Sequence, residues 1–452
     1  MVNIYNFSKN AIQNLTKENK NNSSFIPILL VLATIPLSFA INNVALGIFI
    51  ATGLFTLKKE NAAFRKELIV PISLYFLMVL SYFWSIDSKE TLSSLSKEIP
   101  LLLIPLGVII SKTNTSEQKQ KIIAYYSYVM VVFVLFYCIR AIIRYSIYQD
   151  ARMLFYHGEN DKDYGLVPKL LNAIHMSVFV AVAFFHFFTK ELKSKADSFF
   201  SLLLFGFILL LSSKNIILVV LLLCLIHIFF FSKTAQKLRL RNLIVFALLI
   251  GIIFSLGRIK ERFKVEFQTN TDKSLSTAVI EGVPAGVHFV SIKEAWTNPT
   301  FSPNDYFNGT AFRVYQFRIF TEMLQENNIF FTGFGLNASY PKIKEKALQY
   351  NLYMGTGDNT DTGYQSKNFH NQYVQNFAEL GIFGFILLLL MLLMNVKNAI
   401  KSKDFVHFAF AFLMISLFLT ESFLWRQRGV VFFTMMYCLF NTGIVAKSSK
   451  SE

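Results

Sequence analysis

Charge is scarce in this chain. Asp, Glu, Lys and Arg together make up only 16% of the 452 residues, against 54% hydrophobic, a balance that excludes an ordinary soluble protein of this length and makes a bilayer the solvent. Cysteine is scarcer still: Cys138, Cys224 and Cys438 each sit inside an apolar run, which excludes a disulfide framework and leaves small buried residues. No Cys/His set has zinc-ligand spacing and no paired carboxylates suggest a metal site, so neither a metal nor another cofactor is expected. Residues 1–24 are polar and Asn-rich, with no short apolar segment ending in a cleavage site, so no signal peptide is expected. No internal repeat of fixed period is present. Acidic residues are few as well, 28 against 44 Lys and Arg, and the net charge of +16 raises nucleic acid as a partner until the placement of the charge is considered.

What is abundant is apolar sequence. Stretches recur at 25–41, 43–57, 68–85, 99–110, 122–146, 170–189, 198–212, 215–231, 242–257, 378–396, 405–420 and 429–446. They predict an all-α polytopic membrane protein of about twelve transmembrane helices, although several fall short of the ~20 residues a crossing needs. The expected organisation is an N-terminal segment 1–24, nine helices over 25–257, a large outside loop over 258–377, three helices over 378–446 and a tail over 447–452. Basic residues test the count. With the N-terminus inside, the inside segments carry Lys58, Lys59, Arg65 and Lys66, then Lys190, Lys193 and Lys195, then Lys233, Lys237, Arg239 and Arg241, while the short outside loops are poorer. Both termini are therefore expected inside, and the positive charge reads as topogenic, with no nucleic acid implied.

The loop 258–377 is too long to be a mere connection. Within it, TAFRVYQFRIFTEMLQE (310–326) places Phe312, Tyr315 or Gln316, Ile319 and Met323 at helical spacing. TGFG (332–335) breaks that helix, a second one is expected over 339–352, and a polar loop rich in Gly, Asp, Asn and Thr follows. A further helix is expected to start near His370, capped by Asn368 or the Lys-Asn pair before it, and to run without a breaker into the span at 378.

On such a helix His370, Tyr373, Val374 and Phe377 share a face, with Asn371 beside them, a turn or two outside the membrane. Imidazole titrates near neutral pH, so His370 is either a general base for a hydroxyl or an interfacial side chain that bonds a neighbour. Arg313 and Arg318 lie nearly opposite each other on the loop helix, Lys214 marks an outside turn, Arg140 and Arg144 sit near the outer end of their span, and Arg426 and Arg428 flank the last outside turn. Cations gathered on one side suit a lipid-linked phosphate or diphosphate, while snorkelling at the interface explains most such residues. His175, within a span, can touch a substrate or bond a neighbouring helix. Glu421 needs a partner, expected to be Arg426 or Arg428, and His288 is a rival base in the loop.

The order FRVYQF (312–317), GFG (333–335), HNQY (370–373) and GIFG (381–384), following SYFWSIDSKETLSSLSKEIPLLLIPL (81–106) and LLSSKN (210–215), resembles the O-antigen ligase and polymerase superfamily, most closely over 311–385. The resemblance implies metal-independent, inverting glycosyl transfer on the periplasmic side of a bacterial inner membrane, from a glycan on undecaprenyl diphosphate to an acceptor hydroxyl, which in ligases belongs to the lipid A core. It implies His370 as general base, with Arg313 and Lys214 binding the diphosphate. The family more often has Arg at position 214 and Trp at position 317. An O-antigen polymerase, an O-linked protein oligosaccharyltransferase and, outside enzymes, a flippase of lipid-linked sugars are the alternatives; the last expects inverted repeats and charges near the midplane.

Overall fold

The computed structural model describes residues 2–58, 65–155, 165–232, 251, 288–355 and 363–442. Among these, five helices are long and apolar enough to cross a membrane: Lys66–Phe83, Ser88–Ile110, Ser116–Tyr148, Lys214–Phe231 and Gln372–Ser402. Shorter apolar helices cover Phe25–Thr34, Phe39–Phe55, Ala173–Phe188 and Phe405–Phe418. Helices overlie the expected apolar stretches except 242–257, of which only residue 251 is described; the tail 447–452 lies outside the described residues. The span expected at 99–110 extends back through a polar helix. Asp87 caps Ser88–Glu98 by accepting from Glu90 N at 3.1 Å, and Pro100 begins Pro100–Ile110, where its missing N–H costs nothing.

Residues 288–378 build a second core, separate from the one inside the helical bundle, around Val290, Phe301, Phe307, Tyr315, Ile319, Phe369 and Val374. It is not wholly helical: His288–Val290 and Asp305–Phe307 pair as a two-stranded parallel sheet. The helix Gly309–Glu326 starts where Asn308 accepts from Thr310 N and Ala311 N, and it buries Phe312, Tyr315, Gln316, Ile319 and Met323, as the spacing predicts. The second expected helix is Tyr340–Gln349.

The expectation of an unbroken helix into the span at 378 is corrected. Gln372–Ser402 is interrupted at Gly381, whose φ of 65° and ψ of −164° are not helical. A straight helix would pair Ile382 N with Ala378 O. Instead Phe334 N donates to Ala378 O and Gly335 N to Glu379 O, each at 2.9 Å, while Ile382 N donates to Phe330 O at 2.8 Å. The turn over 330–335 thus takes up the groups the break releases, which matters because an unpaired backbone group near lipid costs several kcal/mol. Two glycines make this contact possible. A Cβ on Gly333 would lie 2.2 Å from the Glu379 carbonyl carbon, and one on Gly381 would lie 2.3 Å from that of Phe331.

Candidate active site

A helix leaves its last carbonyls without partners. At the end of Phe405–Phe418, Leu417 O accepts from Thr420 N and Glu421 N, while the carbonyls around it are taken by side chains from remote parts of the chain. Tyr373 Oη donates to Ile415 O at 3.0 Å and Asn215 Nδ2 to Ser416 O at 2.9 Å. Asn371 Nδ2 reaches Leu419 O at 3.3 Å, and Arg313 forks onto Thr420 O through Nε at 2.9 Å and Nη2 at 2.7 Å. Asn215 Nδ2 also donates to the Thr420 hydroxyl at 2.7 Å. A guanidinium suits this position because the helix dipole is negative here.

The next residue is Glu421. It is buried, and its Oε2 lies 3.5 Å from His370 Nδ1. Burial by itself raises a carboxyl pKa, but the contact and charge of His370, with smaller contributions from His175 and Arg313, outweigh it and hold Glu421 low, at about 2. An ionised Glu421 facing Nδ1 favours the proton on that nitrogen and leaves Nε2 with the lone pair, the arrangement a base needs.

His370 itself is partly exposed, with a φ of 44° in the left-handed region, and its N–H donates to Asn368 Oδ1 at 3.1 Å. Few non-glycine residues adopt this conformation, and strain of this kind persists where the surroundings impose it. The surroundings are visible. Gln316 from the loop helix donates to Asn368 O, Phe369 is buried against Phe320, and the Phe312 ring meets the imidazole edge-on at 6.2 Å. Asn371, not Asn368, is the helix cap, accepting from Tyr373 N and Val374 N. His370 therefore precedes the helix and does not share a helical face with Tyr373, Val374 and Phe377.

Sequence reasoning missed the clamp behind this pair. Gln375 Oε1 accepts from Phe369 N at 3.2 Å and from the Ser422 hydroxyl at 3.4 Å, so one side chain holds the residue before His370 and the residue after Glu421. Its Nε2 donates to Glu379. Gln372 Oε1 accepts from Leu424 N at 2.7 Å. The available signal was the spacing of Gln372, Gln375, Asn376 and Glu379, a polar stripe on one helical face, and all four are buried. Thr420 and Asn215 were missed too; Asn215 stands next to Lys214, so its contacts seat the start of Lys214–Ile226 against the Thr420 segment.

The other candidates are placed differently. Arg318 is bound within the loop core, to Glu322 at 3.0 Å, to Asn298 O and to Tyr350, over whose ring it stacks at 4.5 Å. Arg428 donates to Ile35 O and Leu37 O and lies over Phe39, tying the last helix to the first turn of the bundle. Arg426 is exposed. Neither arginine is the partner of Glu421; that partner is His370. His175 is buried with its ring 4.4 Å from Phe423, and among the described residues its Nε2 meets no hydrogen-bond partner. His288 pairs with Glu294 at 3.3 Å.

Several apolar helices and a polar site where one of them ends describe a multi-pass membrane protein with its candidate chemistry beside the bundle. Residues 199–389 match the model of the O-antigen ligase family, which supports the O-antigen ligase-like superfamily for this chain. The matched region holds Lys214, Arg313 and His370, and stops short of Glu421. No curated protein matches the chain.

Proposed function

We propose that this chain is a glycosyltransferase of the O-antigen ligase type, moving a glycan from undecaprenyl diphosphate to an acceptor hydroxyl, with the lipid A core as the favoured acceptor. The single observation that supports it most is His370 lying 3.5 Å from the carboxylate of the buried Glu421, with Arg313 fixed on the carbonyl one residue earlier. In this reading Nε2 of His370 takes the proton of the acceptor hydroxyl as its oxygen attacks the anomeric carbon. The bond from that carbon to the diphosphate oxygen breaks, with inversion at the sugar, and undecaprenyl diphosphate leaves. A diphosphate is already a good leaving group, so the remaining requirement is to stabilise its growing charge, for which Arg313 and Lys214 are the proposed cations. No step is assigned to a metal. Asn371 and Tyr373 act by fixing the helix end, and His175 by lining the wall behind Glu421.

The proposed setting is the periplasmic face of a bacterial inner membrane, with both termini cytoplasmic and residues 258–377 as the periplasmic loop. Purified protein supplied with a glycan on undecaprenyl diphosphate and, side by side, lipid A core, a second lipid-linked repeat and a Ser/Thr peptide tests both reaction and acceptor. Transfer to lipid A core that disappears in His370→Ala, with the variant still accumulating in the membrane, is the expected result. Transfer only to the second repeat or the peptide would reassign the acceptor, and undiminished transfer by His370→Ala would sink the mechanism.

A further inference from the structure

The turn over 330–335 does more than receive the hydrogen bonds of the helix break. At its start stand Phe330 and Phe331, ring centroids 5.0 Å apart, and Phe331 is 62% exposed although it belongs to the segment expected to lie outside the membrane. Beyond the break, the exposed residues Phe383, Ile386, Leu390 and Leu393 recur at helical spacing along one side of Gln372–Ser402. On Lys66–Phe83, which packs against it, Ile69, Phe76, Leu80 and Phe83 form a similar stripe that ends on a ring 79% exposed. Both helices are long and apolar enough to cross a membrane, and in a bilayer stripes of this kind face lipid.

The turn continues them. The Phe331 ring is 6.3 Å from Phe383, and on the other side Trp84 Nε1 donates to Thr332 O at 2.8 Å while Ile86 N donates to Phe334 O at 3.0 Å. No charged side chain occurs from Asn327 to Leu336. A ridge built from three segments, its exposed rings those of Phe83, Phe330, Phe331 and Phe383 and with Trp84 bonded to the turn, continues two apolar stripes to the level where aromatic side chains seat proteins at a membrane surface. We propose that the turn is a membrane anchor: Phe330 and Phe331 enter the lipid interface beside Gly381 and tie the core of residues 288–378 to the bilayer. Because the same turn is hydrogen-bonded to Ala378, Glu379 and Ile382, the anchor bears directly on the helix that follows His370.

Full-length protein in phosphatidylcholine nanodiscs, with bromine on the lipid acyl chains near the headgroup, tests this. Phe331→Trp adds an indole at an exposed position, and its emission is read as the difference from the parent, which carries Trp84, Trp296 and Trp425. Leu348→Trp, also exposed but on the charged helix Tyr340–Gln349, is the water-facing reference. The expected result for Phe331→Trp is about twofold quenching of the added indole emission by brominated lipid and little by iodide, with the opposite pattern for Leu348→Trp. Phe330→Trp should behave like Phe331→Trp, so a folding defect in one variant does not decide the outcome. Quenching of Phe331→Trp by iodide as strong as that of Leu348→Trp would overturn the proposal. Quenching by neither agent, which would mean that protein covers the ring, would overturn it as well. None of these readings depends on glycosyl transfer.

Discussion

The two ends of the helix Phe405–Phe418 are built on different principles. At its start Asp404 accepts from Val406 N at 3.0 Å and His407 N at 3.3 Å, a local cap within three residues of sequence. At its finish the backbone turns onto Leu417 O, and the carbonyls of Ile415, Ser416, Leu419 and Thr420 are held by Tyr373, Asn215, Asn371 and Arg313, the nearest of them 42 residues away. A local cap does little more than start a helix. A remote one makes the position of the next residue, Glu421, depend on three other parts of the chain, and Glu421 is the residue that faces His370.

The largest expected effect separates that far end from everything else. Glu421→Gln, which keeps the shape and removes the charge, should lower glycan transfer by about 10²–10⁴-fold, the range general acid–base catalysis contributes. It should also leave a signature in stability. The folded carboxyl is held at about 2, below its usual 4.5, so Glu421 contributes stability that is fully present above about 4.5 and lost as pH falls through about 2. The gap in melting temperature between parent and Glu421→Gln should therefore be steady from neutral pH to about 4.5 and close below it. A gap that widens in acid would contradict the assigned pairing.

A smaller contrast lies between two arginines on one helix. Arg313→Ala removes the fork on Thr420 O and a proposed diphosphate cation, so transfer should fall by about 10²–10³-fold, as when one preorganised donor is deleted. Arg318→Ala should instead lower the melting temperature, through the lost Glu322 pair and the lost stacking on Tyr350, while transfer per folded molecule stays near the parent level. Equal losses of transfer in the two variants would erase the distinction between them.

The smallest contrast compares the two kinds of cap directly. Asn371→Ala and Asp404→Ala each delete a helix N-cap and should each cost about 1 kcal/mol by denaturant melting. Only Asn371→Ala should also slow transfer, because only Asn371 reaches the Leu419 carbonyl beside the site. If both leave transfer intact, the remote capping of this helix end has no bearing on the reaction.

Much of this architecture is legible one segment at a time. A lipid-embedded helix satisfies its backbone within itself, so apolar runs alone mark where helices fall, and the buried face of Gly309–Glu326 follows from the spacing of Phe312, Tyr315, Ile319 and Met323. His370 and Arg313 stood out by residue type and place. The partner of Glu421 did not: Arg426 and Arg428 are close in sequence, whereas His370 lies 51 residues earlier and becomes its neighbour through packing. The helix break was likewise hidden, since Gly381 and Gly384 in an apolar run carry no sign that another turn will press against the first of them.

The sequence by itself therefore determined the apolar helices, the amphipathic loop helix and the residue types capable of the chemistry, because each rests on interactions among neighbours in the chain. Only the tertiary structure decided that Gly333 and Gly381 meet, that His370 is held left-handed against Glu421, and that Gln375 clamps both sides of that pair. Those contacts join segments whose separation along the chain has no bearing on their separation in space.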